Sequence, residues 1–421
     1  MKKVIISLLV AGAVAAANAQ DKALLETLVK KGMLTQQEAA QIAKDSVAVT
    51  PATKSTKSIK IFGGAQGWYS WGKNSVKSGS EAFGQQNGFT LRYVKLGIEA
   101  DVGGGWSAEV VTDFGMEGES KNYLDKVVAS KKIDLDYING TLQLGLRKVN
   151  MGYEQNMDDF GQLAVERSVA TYFFTRYDYK NFGSRTVGVF WDGNITQVDG
   201  LYYGAAVTSG VSESGGTVDN NYITEAQDSS ALSFWANMGY KNVADVKGET
   251  LSYDIGVNFG YAPQGMNIPN TKKGSVWGIN PYATLNWRGL TLIGEFFLQQ
   301  AEDYYTPGRN GVGRTPMGAN FTAAYKMDIG EWGAIEPVFR GSYVSTNGMG
   351  LRSAYSGDDL ENGDDLENVN QAMTFYGGVN WYATTAVKTS LGYEFAYYDQ
   401  GEASVERVYG NTVWAQVQVL F

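Results

Sequence analysis

Two short charged pairs mark where this chain has side chains suited to handling an ion. Arg147 and Lys148 close an alternating apolar segment, and Glu166 and Arg167 follow a short distance on. A guanidinium takes phosphate or carboxylate through two parallel N–H···O bonds, so either pair suits anion recognition. The same residues suit ion pairs that pin one segment to another, with Glu154 or Glu166 as partner for Arg147 and Lys148, and Glu166 for Arg167. A third feature is the tandem Gly357-Asp358-Asp359-Leu360-Glu361-Asn362 and Gly363-Asp364-Asp365-Leu366-Glu367-Asn368. Oxygen ligands at that density suit Ca²⁺. The spacing is not that of an EF-hand loop, and a duplication in a tolerant loop accounts for the repeat.

What the chain lacks narrows the chemistry further. Among its 421 residues there is no histidine and no cysteine. That excludes a Ser-His pair, an imidazole base, histidine-ligated zinc and thiolate chemistry. Acidic residues are spread over every segment, so no carboxylate pair stands out for hydrolysis. Gly103-Gly104-Gly105 reads as a turn, because the context of a phosphate-binding loop is missing. We therefore expect no enzyme, no catalytic residue, no cofactor and no resident metal. The formal charge is -9, and it becomes -11 once Lys2 and Lys3 are removed with a leader. An acidic secreted chain argues against nucleic acid as the partner.

The elements that carry these side chains alternate with a period of two. Val413, Ala415, Val417, Val419 and Phe421 lie on one side of the C-terminal segment. Thr412, Gln416 and Gln418 lie on the other, with Trp414 as an apolar intruder. Leu251–Tyr261, Ile279–Trp287, Phe321–Met327 and Val387–Tyr397 repeat the pattern. One face of such a strand meets something apolar and the other meets water. The 52 glycines, seven prolines, 13% aromatics and slightly negative mean hydropathy fit strands that average out their membrane signal. The fold class expected is all-β: a transmembrane antiparallel β-barrel of about sixteen strands with a short N-terminal helical segment. Aromatics near strand ends (Trp68, Tyr69 and Trp71; Tyr202 and Tyr203; Trp381 and Tyr382; Tyr397 and Tyr398) read as interfacial girdles.

Residues 1–19 read as a secretory signal peptide, with Met1-Lys2-Lys3, a short apolar core and the small-residue site Ala17-Asn18-Ala19. Residues 20–45 read as a periplasmic helical segment. Leu24, Leu25, Leu28 and Val29 have helical spacing there, and Thr35-Gln36-Gln37-Glu38 has the form of a capping box. Residues 46–58 read as a flexible linker, and 59–421 as the barrel. Asn139-Gly140, Arg288-Gly289 and Ala383-Thr384-Thr385 read as tight turns. Long polar stretches at 74–88, 115–130, 212–229, 264–274, 304–316 and 348–371 read as external loops.

Leu144-Gly145-Leu146-Arg147-Lys148-Val149-Asn150-Met151-Gly152-Tyr153-Glu154 with Val165-Glu166-Arg167-Ser168 resembles the phosphate-selective porin O and P family, an outer-membrane porin family. The leader Leu24–Ala39 and the segment Phe89–Ala100 are similar to that family's leader helix and second strand. The resemblance implies a sixteen-stranded trimeric channel in the bacterial outer membrane, with lipid around it. It also implies a third external loop that folds into the pore, here Asn150 to about Thr171, carrying Asp158, Asp159, Glu166 and Arg167.

Parity places Lys60, Lys95, Arg147, Arg288, Lys326, Arg340 and Lys388 on the lumen side. Facing them are more acidic positions, Glu99, Glu109, Asp113, Asp192, Asp254, Glu295, Glu336 and Glu394 among them. The dense basic array of phosphate channels is therefore not present, and a lumen of mixed sign is expected. Candidate pore residues are Lys95, Arg147, Lys148, Glu166, Arg167, Arg288 and Arg340. The expected function is passive diffusion of small hydrophilic solutes or ions, including anions such as phosphate. The alternative is a structural tether whose N-terminal helices bind the cell wall or a partner.

Overall fold

The computed structural model describes residues 57–76, 83–115, 124–175, 182, 185–209, 232–263, 275–306, 309–348, 351, 369–399 and 407–421. The stretches read as signal peptide and helical leader, most of the one read as linker, and the acidic repeat at 357–368 lie outside the described residues, as do 212–229, 264–274 and most of 348–371.

Period-two alternation produces sixteen antiparallel strands. They are β1 (Ser58–Val76), β2 (Phe83–Gly103), β3 (Trp106–Asp113), β4 (Leu124–Asp134), β5 (Ile138–Lys148), β6 (Arg185–Ile195), β7 (Leu201–Thr208) and β8 (Ser233–Val246). The second half holds β9 (Glu249–Ala262), β10 (Val276–Trp287), β11 (Leu290–Thr306), β12, β13 (Ala334–Ser345), β14 (Gln371–Tyr382), β15 (Val387–Asp399) and β16 (Arg407–Leu420). Strand β12 joins Arg309–Arg314, Met317–Tyr325 and Met327–Asp328 end to end, since the first two pieces pair with β11 and the last two with β13. Each strand pairs with its neighbours in sequence, and β16 returns to β1 in a register running from Gly64 opposite Leu420 to Val76 opposite Val408. Gly63 and Phe421 exchange both backbone hydrogen bonds at 3.0 Å. Among the described residues no sheet edge is left, which removes the unpaired N–H and C=O groups a bilayer does not tolerate.

The barrel is inside out. Leu144, Met238, Ile255, Phe339, Leu391 and Val417 are exposed on its outer face, whereas Gln66, Asn258, Asn280, Thr322, Ser390 and Gln416 are buried within. Apolar outside and polar inside is what a lipid-embedded barrel requires. The aromatic pairs split by the same parity. Trp381 is exposed outside, while Tyr398 is buried, Tyr382 donates to Glu336 at 2.6 Å and Tyr202 donates to Asp254 at 2.7 Å. Trp414, the intruder on the polar side, does point inward and packs on Tyr376 with ring centroids 6.1 Å apart.

Both ends of the described chain lie at the end of the barrel with short turns. Arg288 and Gly289 make the β10–β11 turn with φ of 51° and 82°, the left-handed pair that a two-residue hairpin needs. Asn139 and Gly140 are not a turn, contrary to expectation. The chain reverses at 135–137, where Leu135 donates to Ile138 at 2.9 Å, and Gly140 sits in β5 opposite Gly193. At the other end the strands outrun their alternation. Strands β1 and β2 stay paired to Asn74 opposite Phe83, and β11 and β12 to Thr306 opposite Arg309, through stretches read as loops. Beyond the lipid both faces meet water, so a hydrogen-bonded ladder no longer needs an apolar face.

Candidate functional site

Between β5 and β6 the chain turns into the barrel and carries two short helices, α1 (Tyr153–Asn156) and α2 (Val169–Thr175). The inward segment runs past the expected limit near Thr171: α2 continues to Thr175, and Phe182 is buried 4.9 Å from Trp235, ring to ring. Apolar packing holds the far part. Phe173 and Phe174 of α2 are buried, and the Phe174 ring stacks on Phe297 of β11 at 4.9 Å.

Polar bonds hold the near part. Gly152 enters α1 with φ of 81° and donates to Asn280 at 3.1 Å. The N–H groups of Tyr153 and Glu154 then donate to the Glu295 carboxylate at 2.7 and 3.2 Å. Glu154 accepts from the Ser168 N–H and from Arg340, both at 3.0 Å, and Arg340 also reaches Glu394 at 2.9 Å. Arg92 pairs with Glu166 at 2.7 Å. Loop carbonyls bind the wall too: Gln162 accepts from Lys388 at 2.9 Å, Leu163 from Asn380 at 2.9 Å and Phe160 from Gln418 at 3.1 Å. The loop thus lies along the wall from β10 round to β2.

The loop's other side meets β2 to β6 through charge. Asp159 accepts from Lys95 and Arg167 in close contact and from Lys148 at 3.2 Å, with Arg185 at 3.8 Å. Burial pushes the Asp159 carboxyl up, but the charges of Lys148, Arg167, Lys95 and Arg185 outweigh it and hold the group well below the usual carboxylate range. Arg147 stands apart from this cluster. It pairs with Asp192, donates to Gln143 and to Asn150 at 3.0 Å, and lies 4.8 Å over the Phe190 ring. Lys126 pairs with Glu109 at 2.7 Å on the adjacent wall.

The structure therefore gathers Lys95, Lys148 and Arg167 on one carboxylate and sets Glu166 beside them on Arg92. Arg340 is inside the barrel as parity requires, but it is 1% exposed and sits behind the loop. Arg288 is not on the wall. It occupies the β10–β11 turn, half exposed, 3.5 Å from Glu249. Parity counted through the strand end assigned it a face that the left-handed turn abolishes. Alternation does not single out Asp125 and Arg185, which pair with each other, or Arg92. Asp125 fell in a stretch read as loop, while β4 in fact begins at Leu124. Arg92 has outward parity, but a register shift at Gln66/Gly67, opposite Tyr93 and Leu91, turns it inward. Such a bulge re-aims one side chain without any signal in the alternation.

Open space remains on both sides of the loop. A cavity of about 660 Å³ lies between the loop and the β2–β6 wall, lined by Lys95, Glu109, Lys126, Arg147, Asp158 and Arg185. A second of about 800 Å³ lies toward the turn end, lined by Asn139, Tyr153, Asn194, Lys241, Asp254 and Thr284. Both carry charged side chains of both signs.

No family model and no curated protein sequence matches this chain. Its structure resembles solved outer-membrane channels. OprB of Pseudomonas putida aligns with a TM-score of 0.58 at 11% identity, over 86% of this chain and 94% of that one. The outer-membrane channel DcaP of Acinetobacter baumannii aligns at 0.54 and 10%, over 88% and 99%. An anion-selective porin from Comamonas acidovorans aligns at 0.53 and 11%, over 86% and 99%. At such identities the likeness is one of architecture, and the architecture is that of an outer-membrane porin.

Proposed function

We propose that this protein is a passive diffusion channel of the bacterial outer membrane for small hydrophilic solutes and ions. The observation that carries this reading is the inward loop, which narrows a polar barrel interior yet leaves cavities of about 660 and 800 Å³ beside it. Its charge preference is weak. The cations that face the loop edge each have a carboxylate partner: Lys95 and Arg167 on Asp159, Arg147 on Asp192, Lys126 on Glu109 and Arg185 on Asp125. Phosphate selectivity calls instead for cations free to bind a passing anion. A homotrimer is the assembly that the porin resemblance implies, and electrophoresis without heating tests it by its mobility.

Liposome swelling tests the function. Vesicles holding the folded protein should swell in isotonic arabinose, and no faster in sodium phosphate than in sodium chloride. Swelling equal to that of protein-free vesicles contradicts the channel, and swelling confined to phosphate contradicts the weak preference.

A further inference from the structure

Four cationic side chains from four separate places in the chain converge on Asp159. Lys95 comes from β2, Lys148 from the end of β5, Arg167 from the loop and Arg185 from the start of β6. All four lie within ion-pairing distance of the Asp159 carboxylate, whose side chain is only 3% exposed. Two wall carboxylates share the cations: Asp125 is 3.1 Å from Lys95, and Asp113 is 4.0 Å from it. Four positive groups thus face Asp113, Asp125 and Asp159. The cluster carries a formal charge of +1 with Asp159 ionised and +2 without it. It borders the 660 Å³ cavity, which also touches Lys95, Lys148, Arg185 and Asp159 itself.

A shell of lysine and arginine donors around one point is what holds an oxyanion, because each donor bond is charge-assisted. Here the chain supplies the oxyanion, and the loop brings it. We propose that Asp159 is a built-in counter-ion: it occupies the cation cluster in place of a mobile anion and is the residue that sets the charge preference of the channel. This rests on the channel reading above. A passage bordered by such a cluster focuses the field of whichever charges stay uncompensated. With Asp159 in place the cluster is nearly balanced and holds no passing anion. With Asp159 neutral, Lys95, Lys148 and Arg185 face the cavity without it.

The experiment is planar-bilayer recording of the full-length protein in a potassium chloride gradient, with inorganic phosphate then added as probe. Asp159→Asn is expected to raise the chloride-to-potassium permeability ratio about threefold or more. Phosphate is expected to block its chloride current at a concentration at least about tenfold lower than in the native channel. Asp159→Glu keeps the charge and should keep the native ratio. A conducting Asp159→Asn channel with native ratio and native response to phosphate overturns the inference and leaves the channel reading intact, whereas a folded native barrel that carries no current refutes the channel reading itself. If Asp159→Asn does not insert, the charge-restoring pair Asp159→Asn with Lys148→Met decides. Its insertion with near-native selectivity supports the counter-ion role, and its failure to insert overturns it.

Discussion

Arg340 of β13 donates to Glu154 of the inward loop at 3.0 Å, a contact between residues 186 apart in sequence. The same guanidinium holds Glu394 of β15 at 2.9 Å, so one side chain ties the loop to two wall strands. Arg340 is 1% exposed, and Glu394 is 3% exposed. Removing one partner of a buried ion pair costs about 3–5 kcal/mol, because the other is left charged and unpaired. Arg340→Ala should therefore free the near end of the loop. Single-channel records should show larger and noisier conductance, and the folded band should convert at a lower temperature on heating. Unchanged conductance would mean that the loop's other wall contacts hold it without Arg340.

Charge at the opposite loop edge acts differently. Arg147→Ala leaves Asp192, 39% exposed, as an uncompensated carboxylate facing the lumen. The reversal potential should shift toward cations, and by more than for Lys388→Ala, whose ammonium binds loop carbonyls behind the loop. Arg288→Ala, at the turn, should leave selectivity unchanged. A shift in the Arg288 variant equal to that of Arg147 would misplace the passage.

Acid should loosen the loop only at low pH. Burial raises the Asp159 carboxyl, but Lys148, Arg167, Lys95 and Arg185 hold it below its unfolded-state value. A group depressed in this way contributes its full stabilisation above the unfolded value of about 4, and the contribution is lost as pH falls through the folded one. Heat stability of the folded band should thus draw nothing from Asp159 titration between about pH 8 and pH 5. It should decline below about pH 4, and less steeply in Asp159→Asn. An Asp159-dependent decline already near pH 6 would contradict the ion-paired cluster.

Closure of the barrel rests on β16, whose residues pair with β1 and β15 along its length. Deleting Trp414–Phe421 opens the sheet to two unpaired edges, and no heat-modifiable folded band should then form in membranes. By contrast, a chain beginning at Lys57 keeps all sixteen strands and should still insert and conduct. Failure of that shortened chain would make the leader part of the channel.

Alternation alone makes the barrel legible in the sequence. A strand in lipid must keep one apolar and one polar side, so Lys95, Arg340 and Lys388 could be assigned inward from parity alone, and all three are inward. Parity fails where the ladder is irregular. The bulge beside Gln66 turned Arg92 inward, and the left-handed turn removed Arg288 from the wall. It also stops at the edge of the lipid, which is why the first half of β4, with Asp125, reads as loop in the sequence. The central role of Asp159 had no local signature, since its partners Lys95, Lys148, Arg167 and Arg185 meet only once the loop has folded inward.

Single-channel conductance of the purified, folded native protein in a planar bilayer tests the central claim most directly. A polar barrel narrowed by a pinned loop predicts discrete, ohmic openings and a reversal potential close to zero in a potassium chloride gradient. A folded, inserted barrel that carries no current, or one whose chloride current is blocked by micromolar phosphate, would contradict it.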